Sequence, residues 1–366
     1  MADYKPLSDS AVDEIATSYF NERQHKTFQQ EQPTIVLVGG QPGAGKSVAA
    51  VMVRAEMSMQ GGYVHVDADR LRERIRVGDS KPTSEETQAD PGRLVAVLRG
   101  HATQGRRNIV EEGTFRNPGG MAKFIQGRHE LGYKVELLAV ATSREESLLG
   151  IYQRYEIQHA AGLSNPRYVS ESYHDEAING FDSTVARTET LLARARVVNR
   201  NGEVLYDSAV QDNDQANPLD ALNAGRKLTD SNLFAITKAW GSIEAAAQQR
   251  NAPSSYLASV NSHTQRLDGM QKQRIHDHAM NQLDAHVTAL VRDTRYSQHT
   301  GSELAKAAYF RGIHEKASEF SGVEPDFTKY DATVANRQTL QRFPDERDLV
   351  GRVAPLQIRV NDENSL

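Results

Sequence analysis

The sequence predicts an α/β fold, a largely parallel sheet with helices on both faces, followed by a mostly helical C-terminal domain. Three observations carry this. Short apolar runs alternate with helical stretches over the first two hundred residues, as strands joined by helical crossovers require. The first of these runs, TIVLV, breaks directly into GGQPGAGKS, a sharp passage from strand to helix. Beyond about residue 230 the apolar residues recur at helical spacing.

Taken in order, Ser8 or Ser10 can cap a first helix whose apolar residues Val12, Ile15, Ala16, Tyr19 and Phe20 share a face, a pattern running to Phe28 before Pro33 ends it. Strands are expected at 34–38, 63–66, 108–111 and 134–141, with helices at about 46–60, 92–104 and 119–132 between them. Segments 196–199 and 203–206 flank Asn201-Gly202, a dipeptide that supplies the positive φ angles of a two-residue hairpin turn. The stretch DSAVQDNDQANPLDALNAG reads as a linker. The expected domains are therefore 1–212, the sheet with its N-terminal helix; 213–230, a linker; and 231–366, mostly helical. In the last, Leu233, Ile236, Trp240, Ile243 and Ala247 form one stripe and Ile275, Leu283, Val287 and Leu290 a second. A strand pattern returns only in the final fifteen residues.

With 366 residues, 38% of them hydrophobic, the chain is long enough for two domains. A net charge of -5 gives no global attraction to nucleic acid or anionic membrane, so neither is expected as a partner. The absence of cysteine excludes disulfides, thiol nucleophiles and cysteine-ligated zinc. The N-terminus is acidic and amphipathic with no apolar core of signal-peptide length, which predicts a cytoplasmic protein and leaves secretion without a cleavable signal open.

The segment Gly40-Gln41-Pro42-Gly43-Ala44-Gly45-Lys46-Ser47 matches G-x-x-x-x-G-K-[ST], in which glycines let backbone N–H groups turn inward around a phosphate. Lys46 would reach the β- and γ-phosphates of ATP or GTP, and the Ser47 hydroxyl would hold Mg2+. The helix that starts there adds its open N–H groups and positive dipole end. A glycine-rich turn without ligand is the bland alternative, but the apolar strand before and the helical VAAVMVRAEM after supply the context the motif needs.

Such a loop names a donor and leaves the acceptor open. The next strand, in YVHVDADRLRERI, puts Asp67 at its C-terminal end, where ligands of open parallel sheets gather. A carboxylate there can take the proton of an attacking hydroxyl; equally, Asp67 or Asp69 can cap the helix that follows, with Asp69 expected as the cap if Asp67 is catalytic. NIVEEGTFR ends a third strand with Glu111 and Glu112, which alternation sends to opposite faces. They could form a metal site, an acceptor-binding edge, or one buried partner and one solvated charge. Arg154 and Arg167, in IYQRYEIQHAAGLSNPRYV, are candidates to stabilise a transferred phosphoryl group, with surface ion pairing the plainer reading.

Together GGQPGAGKS, HVDADRLR, EEGTFR, YQRYE, the spacing from Arg167 to His174-Asp175, and NGEVLYDS resemble the zeta toxin family, the P-loop kinases of epsilon/zeta toxin–antitoxin systems, over roughly residues 10–210. The resemblance implies a P-loop kinase fold and transfer of the γ-phosphoryl of ATP or GTP to a sugar hydroxyl of UDP-N-acetylglucosamine, with an antitoxin as partner. It implies that Asp67 is the base, that Lys46 and Ser47 bind phosphate and Mg2+, that Glu112, Thr114 and Arg116 hold the acceptor, and that Arg154 and Arg167 grip the transferred group. Related members are implied to phosphorylate other nucleotide-like molecules, NAD among them. One departure concerns the acceptor: RLVAVLRGHATQGRR carries no carboxylate where the family pattern has an acidic residue.

Two readings stand beside the nucleotide-sugar kinase: a P-loop regulatory module that hydrolyses nucleotide slowly, and a kinase of the same fold with a non-toxic duty. The helical segment could restrain the kinase in place of an antitoxin, or serve docking or dimerisation. His276, His278 and His286 read as helix surface, and His314-Glu315 lacks the second histidine of a zincin helix.

Overall fold

The computed structural model of the chain describes residues 5–24, 26–76, 87, 90–163 and 166–292, and the side chains of that last stretch chiefly as far as 278. The expected second strand pattern near the C-terminus and His314-Glu315 lie outside the described residues.

Helix α1 (Asp9–Gln24) opens with the Ser8 hydroxyl accepting from the Ala11 N–H at 3.2 Å. Val12, Ala16 and Tyr19 are buried, whereas Phe28, beyond the helix, is exposed. Then follow β1 (Thr34–Gly39), α2 (Lys46–Met59), β2 (Val64–Asp67), the short α3 (Ala68–Arg72), α4 (Asp90–Gln104), β3 (Ile109–Gly113), α5 (Pro118–Glu130) and β4 (Lys134–Ala141). After them come α6 (Arg144–Ala160), α7 (Glu171–Thr188), β5 (Arg194–Asn199), β6 (Val204–Asp207), α8 (Pro218–Gly225), α9 (Asp230–Gln249) and α10 (Ser254–Arg292).

The sheet runs in the order β2-β3-β1-β4-β5-β6, parallel except for β6, so the predicted α/β class and P-loop kinase-like arrangement hold. Alternation along β1 shows how the two faces are filled. Ile35 and Leu37 join one apolar core with residues of α1, α4, α5, α7 and α8, while Val36 and Val38 join another with Ala49, Ala50, Val53 and Met57 of α2. From β1 the chain goes outward to β2, returns to β3, then crosses to β4. This leaves a crevice at the C-terminal ends of β1 and its two neighbours, the place where open α/β sheets bind ligands.

Two local expectations are corrected. The hairpin between β5 and β6 turns through three residues, with Gly202 N–H donating to the Asn199 carbonyl at 3.0 Å and Asn199 N–H to the Glu203 carbonyl at 2.9 Å. Only Gly202 there has a positive φ, 91°, because a turn followed by a left-handed glycine needs one such residue where a two-residue turn needs two. The stretch expected as a linker carries α8, whose Ala221 and Leu222 are buried in the core of the sheet domain.

Among the described residues, those up to 229 with 239–252 form one compact unit, and 230–238 with 253–292 another. Within the first, Trp240 stacks on Tyr152 at 4.8 Å between ring centroids, and Arg250 forks onto Glu156 at 2.9 and 3.0 Å. Within the second, Arg274 bonds Asp230 at 2.6 Å. The stripe Leu233, Ile236, Trp240, Ile243 and Ala247 is buried throughout. Ile275 is exposed and its neighbour His276 is buried, the reverse of the expected faces, while Leu283, Val287, Leu290 and His286 lie among side chains outside the described set. Among the described residues no helix is long and apolar enough to cross a membrane.

Candidate active site

The loop from Gly40 to Ser47 connects β1 to α2 at the crevice. Gly45 occupies the N-cap position of α2 in a left-handed conformation, φ 88°, with no side-chain cap, so the first N–H groups of the helix stay open. Gly43, φ 77°, lies so close to α6 that a Cβ would sit 1.9 Å from the Ser147 carbonyl oxygen, which no other residue could tolerate. From below, the Thr142 hydroxyl donates to the Ala44 carbonyl at 2.7 Å, and the buried Gln41 amide donates to the Thr142 carbonyl at 2.7 Å. Lys46 Nζ donates to the carbonyls of Gly40 at 2.8 Å and Gln41 at 3.0 Å. Pro42 is half-buried, Ala44 buried, and Ser47 exposed in the first turn of α2.

The acids come from the adjoining strand ends. In the β2–β3 register Asp67 lies opposite Glu112, and Val66 opposite Glu111, so Glu112 shares the Asp67 face and Glu111 the other. Glu111 is buried and clamped by Arg99 of α4, with Nε to Oε2 at 2.9 Å and Nη2 to Oε1 at 2.5 Å. The helix that lacks the family's carboxylate thus carries a guanidinium that fixes Glu111. Glu112 instead lies 2.7 Å from His65 Nε2 and 3.9 Å from Arg54 Nη1. The two glutamates therefore separate by test. Arg99→Ala strands a buried charge and is expected to lower stability by about 2–3 kcal/mol, somewhat less than for a fully buried pair because Arg99 is part-exposed. Glu112→Gln keeps an acceptor for His65 and is expected to stay within about 1 kcal/mol. Urea unfolding of both variants measures the contrast.

Asp67, not Asp69, caps α3: its Oδ1 accepts the Asp69 N–H at 2.8 Å. The cap falls to Asp67 because it is the last strand residue, extended at φ -139°, with the helix beginning at the next position. Asp69 is free of that duty and takes both terminal nitrogens of Arg167, Nη2 to Oδ1 at 2.8 Å and Nη1 to Oδ2 at 2.7 Å, as well as Arg72 at 2.9 Å.

Electrostatics follow from this crowding. Desolvation raises Asp67 above the usual carboxylate range, and the like charges of Glu112 and Asp69 add to it, against the lowering effects of the Asp69 N–H bond and His65. Desolvation also acts upward on Asp69, but Arg167, Arg72 and Arg154 outweigh it and hold that carboxyl low. Desolvation lowers Lys46 to about 8, opposed by Glu112, Asp69 and Asp67. Arg154 is lowered by desolvation and then by Arg167, and its Nε is buried with no hydrogen-bond partner.

Of the residues singled out in the sequence, the structure therefore gathers Lys46, Asp67, Glu112, Arg154 and Arg167 around the loop, with Asp69 among them. Thr114 is half-buried just past β3. Arg116 turns to α7, 3.2 Å from Glu176 and 4.5 Å from the Tyr173 ring centroid. Sequence reasoning passed over His65, although it stands two residues before Asp67 and so on the same strand face. Ligand atoms of His65, Asp67 and Glu112 lie within 4.8 Å of one another, close enough for a divalent cation. Arg54, 3.9 Å from Glu112, and Arg70, 3.6 Å from Asp67, already bring positive charge there.

Comparison with known proteins bears on the family and the fold. The toxin PezT of Streptococcus pneumoniae is 29% identical over 203 residues, 53% of this chain and 79% of that protein. Toxin zeta of Enterococcus hirae is 26% identical over 189 residues, 49% of this chain and 64% of that one, so the match spans under two thirds of its length. A solved structure from the PezAT chromosomal toxin–antitoxin system of S. pneumoniae shares the fold with a TM-score of 0.55 at 22% identity, covering 66% of this chain and 99% of its own. The profile of the zeta toxin family matches residues 18–211, the span that builds the sheet and the crevice, and the chain belongs to that family.

Proposed function

We propose that the chain is a small-molecule kinase that transfers the γ-phosphoryl group of ATP or GTP to a sugar hydroxyl of a nucleotide-sugar, UDP-N-acetylglucosamine being the acceptor that the family resemblance favours, and that it acts as a bacterial toxin. The observation that carries this reading is the placement of a desolvated, proton-hungry Asp67 at the strand end beside Lys46 and an uncapped helix N-terminus. PezT and toxin zeta are named as toxins, and PezAT as a toxin–antitoxin system, which supports a toxic role and an antitoxin partner.

The loop fits a triphosphate: Gly43 and Gly45 take positive φ angles and pack their backbone directly against Ser147 and Arg200, and the start of α2 has no side-chain cap to compete with a phosphate for its N–H groups. Ser47, exposed in the first turn, suits Mg2+, which would neutralise charge on the β- and γ-oxygens when bound. Asp67 accepts the proton as the acceptor oxygen attacks phosphorus and the bond to the β-bridging oxygen breaks. Lys46, Arg154 and Arg167 spread the charge of the moving group. Asp69 takes one N–H from each terminal nitrogen of Arg167, which fixes the guanidinium plane and leaves other donors for phosphate. Glu112, Thr114 and Arg116 are the proposed acceptor side.

Incubating the protein and Asp67→Asn with ATP, Mg2+ and a panel of UDP-sugars, NAD and nucleosides, followed by mass spectrometry, tests the reading. A phosphorylated nucleotide-sugar from the wild type alone supports it; phosphorylated NAD would move the acceptor; ADP and phosphate alone would turn the assignment to a slow NTP-hydrolysing module. Proton linkage offers a second check. Phosphate raises the pKa of Lys46 from about 8, so nucleotide binding should take up part of a proton between about pH 7 and 9, and affinity should fall as pH rises through that window. Calorimetry in two buffers of different ionisation enthalpy reads the uptake directly, and Lys46→Met should abolish it.

A further inference from the structure

We propose that His174, on α7, is a positioning residue for the phosphate loop: through Ser147 it fixes the Gln41 side chain and with it the curvature of residues 40–47. This rests on the reading of that loop as a nucleotide site. Gln41, Ser147 and His174 are each fully buried, at 0% exposure, and stand in line. Gln41 Nε2 donates to Ser147 Oγ at 3.2 Å, Ser147 Oγ lies 2.8 Å from His174 Nε2, and His174 Nδ1 lies 3.0 Å from Asp175 Oδ1. Arg144 closes the row, forking onto Asp175 at 2.8 and 2.9 Å.

A serine, histidine and aspartate in that order suggest a nucleophile relay, but a fully buried hydroxyl meets no substrate. The row makes sense as a support. Arg144 holds the Asp175 carboxyl low, so it can only accept, and the Nδ1 hydrogen belongs to His174. Burial lowers His174 below its ordinary value, which leaves its Nε2 a bare lone pair. The Ser147 hydroxyl also lies 2.8 Å from the Ser143 carbonyl and 3.1 Å from the Arg144 carbonyl, but the Ser143 carbonyl already receives the Ser147 N–H at 3.1 Å whereas the buried Nε2 faces no other donor, which assigns the hydroxyl hydrogen to Nε2. Donation then runs one way, from Gln41 to Ser147 to His174 to Asp175.

Gln41 depends on that direction. Its Oε1 is buried without a partner, so the amide is oriented only by its donor side, through Ser147 and the Thr142 carbonyl. The Gln41 main-chain carbonyl is one of the two that hold Lys46, and Ser147 also presses its own carbonyl against Gly43. The same helix α7 carries Thr184, which donates to the Phe115 carbonyl at 2.6 Å, and the Glu176 and Tyr173 that engage Arg116. One helix thus seats both the candidate donor loop and the candidate acceptor loop.

Two amide variants separate support from mere packing. In His174→Gln the amide reaches the Nε2 position and can accept from Ser147; in His174→Asn it stops near Nδ1, keeping Asp175 and losing Ser147. Binding of ATP with Mg2+ by the full chain should be within about threefold of wild type for Gln and about tenfold or more weaker for Asn, with KM moving more than kcat. Ser147→Ala, a small change that should fold as wild type by thermal melting, is expected to match Asn. Equal affinity of wild type, Asn and Ala, or equal weakening of Gln and Asn, overturns the proposal. Failure of the wild type itself to bind nucleotide overturns the reading of the loop, and this proposal with it.

Discussion

Replacing Asp67 with asparagine is expected to lower turnover about 100- to 10,000-fold while leaving nucleotide affinity nearly unchanged. The carboxylate stands at the end of β2, raised above its usual range by desolvation and by Glu112 and Asp69. Asparagine still offers an oxygen to the Asp69 N–H, so the cap on α3 survives and stability should shift by less than about 1 kcal/mol. The pH dependence carries the sign of the role. A base must be unprotonated, so wild-type kcat/KM should fall as pH drops through the raised pKa of Asp67, and the residual rate of the variant should lack that acid limb. A loss of turnover below about tenfold would remove Asp67 from the role of base.

Arg154→Ala should cost about a thousandfold in turnover and little or nothing in stability. Most arginines of this domain are anchored, as Arg99 is on Glu111 and Arg144 on Asp175. Arg154 is desolvated, repelled by Arg167, and carries a buried Nε without a partner. A cation held that way destabilises the resting protein, and an incoming anionic group relieves the strain of charge. Steady-state rates and urea unfolding on the same variant check both halves. A variant that unfolds several kcal/mol more easily yet turns over normally would make Arg154 structural.

The two-fold and 3.6-fold apolar periods were enough to place the strands of the sheet, because each strand is buried on both faces or on alternating ones. Residues 64–67 and 109–113 are cases where a short run continues one or two polar positions further than apolarity shows. Those extra positions include Asp67 and Glu112, which face each other across the β2–β3 register at the proposed site. Alternation already separated Glu111 from Glu112, but it could not say which one faced the crevice, since that depends on Arg99 arriving from a helix packed on one face. The cap of α3 is undecided in the sequence for a similar reason: local sequence allows either aspartate, and the long-range fork from Arg167 claims Asp69. The helix α8 was invisible as such, since Pro218 at its start and Asn217 as its cap look like turn residues until Ala221 and Leu222 find the sheet.

The seating of the glycine loop has a consequence for when, during synthesis, the loop can take its shape. The loop is made early, but its ties are to residues far downstream: the Ala44 carbonyl to Thr142, 98 positions away, and the Gln41 amide to Thr142 and Ser147, 101 and 106 positions away. The strand order reinforces this, since β1 is flanked by β4 and cannot be enclosed until that strand exists. Contacts of such separation close late in folding. A nascent or truncated chain ending before β4 therefore carries the whole phosphate motif without either residue that ties it. The fold itself delays the shaping of the loop until β4 and the first turn of α6 have left the ribosome, about a hundred residues after the motif was made.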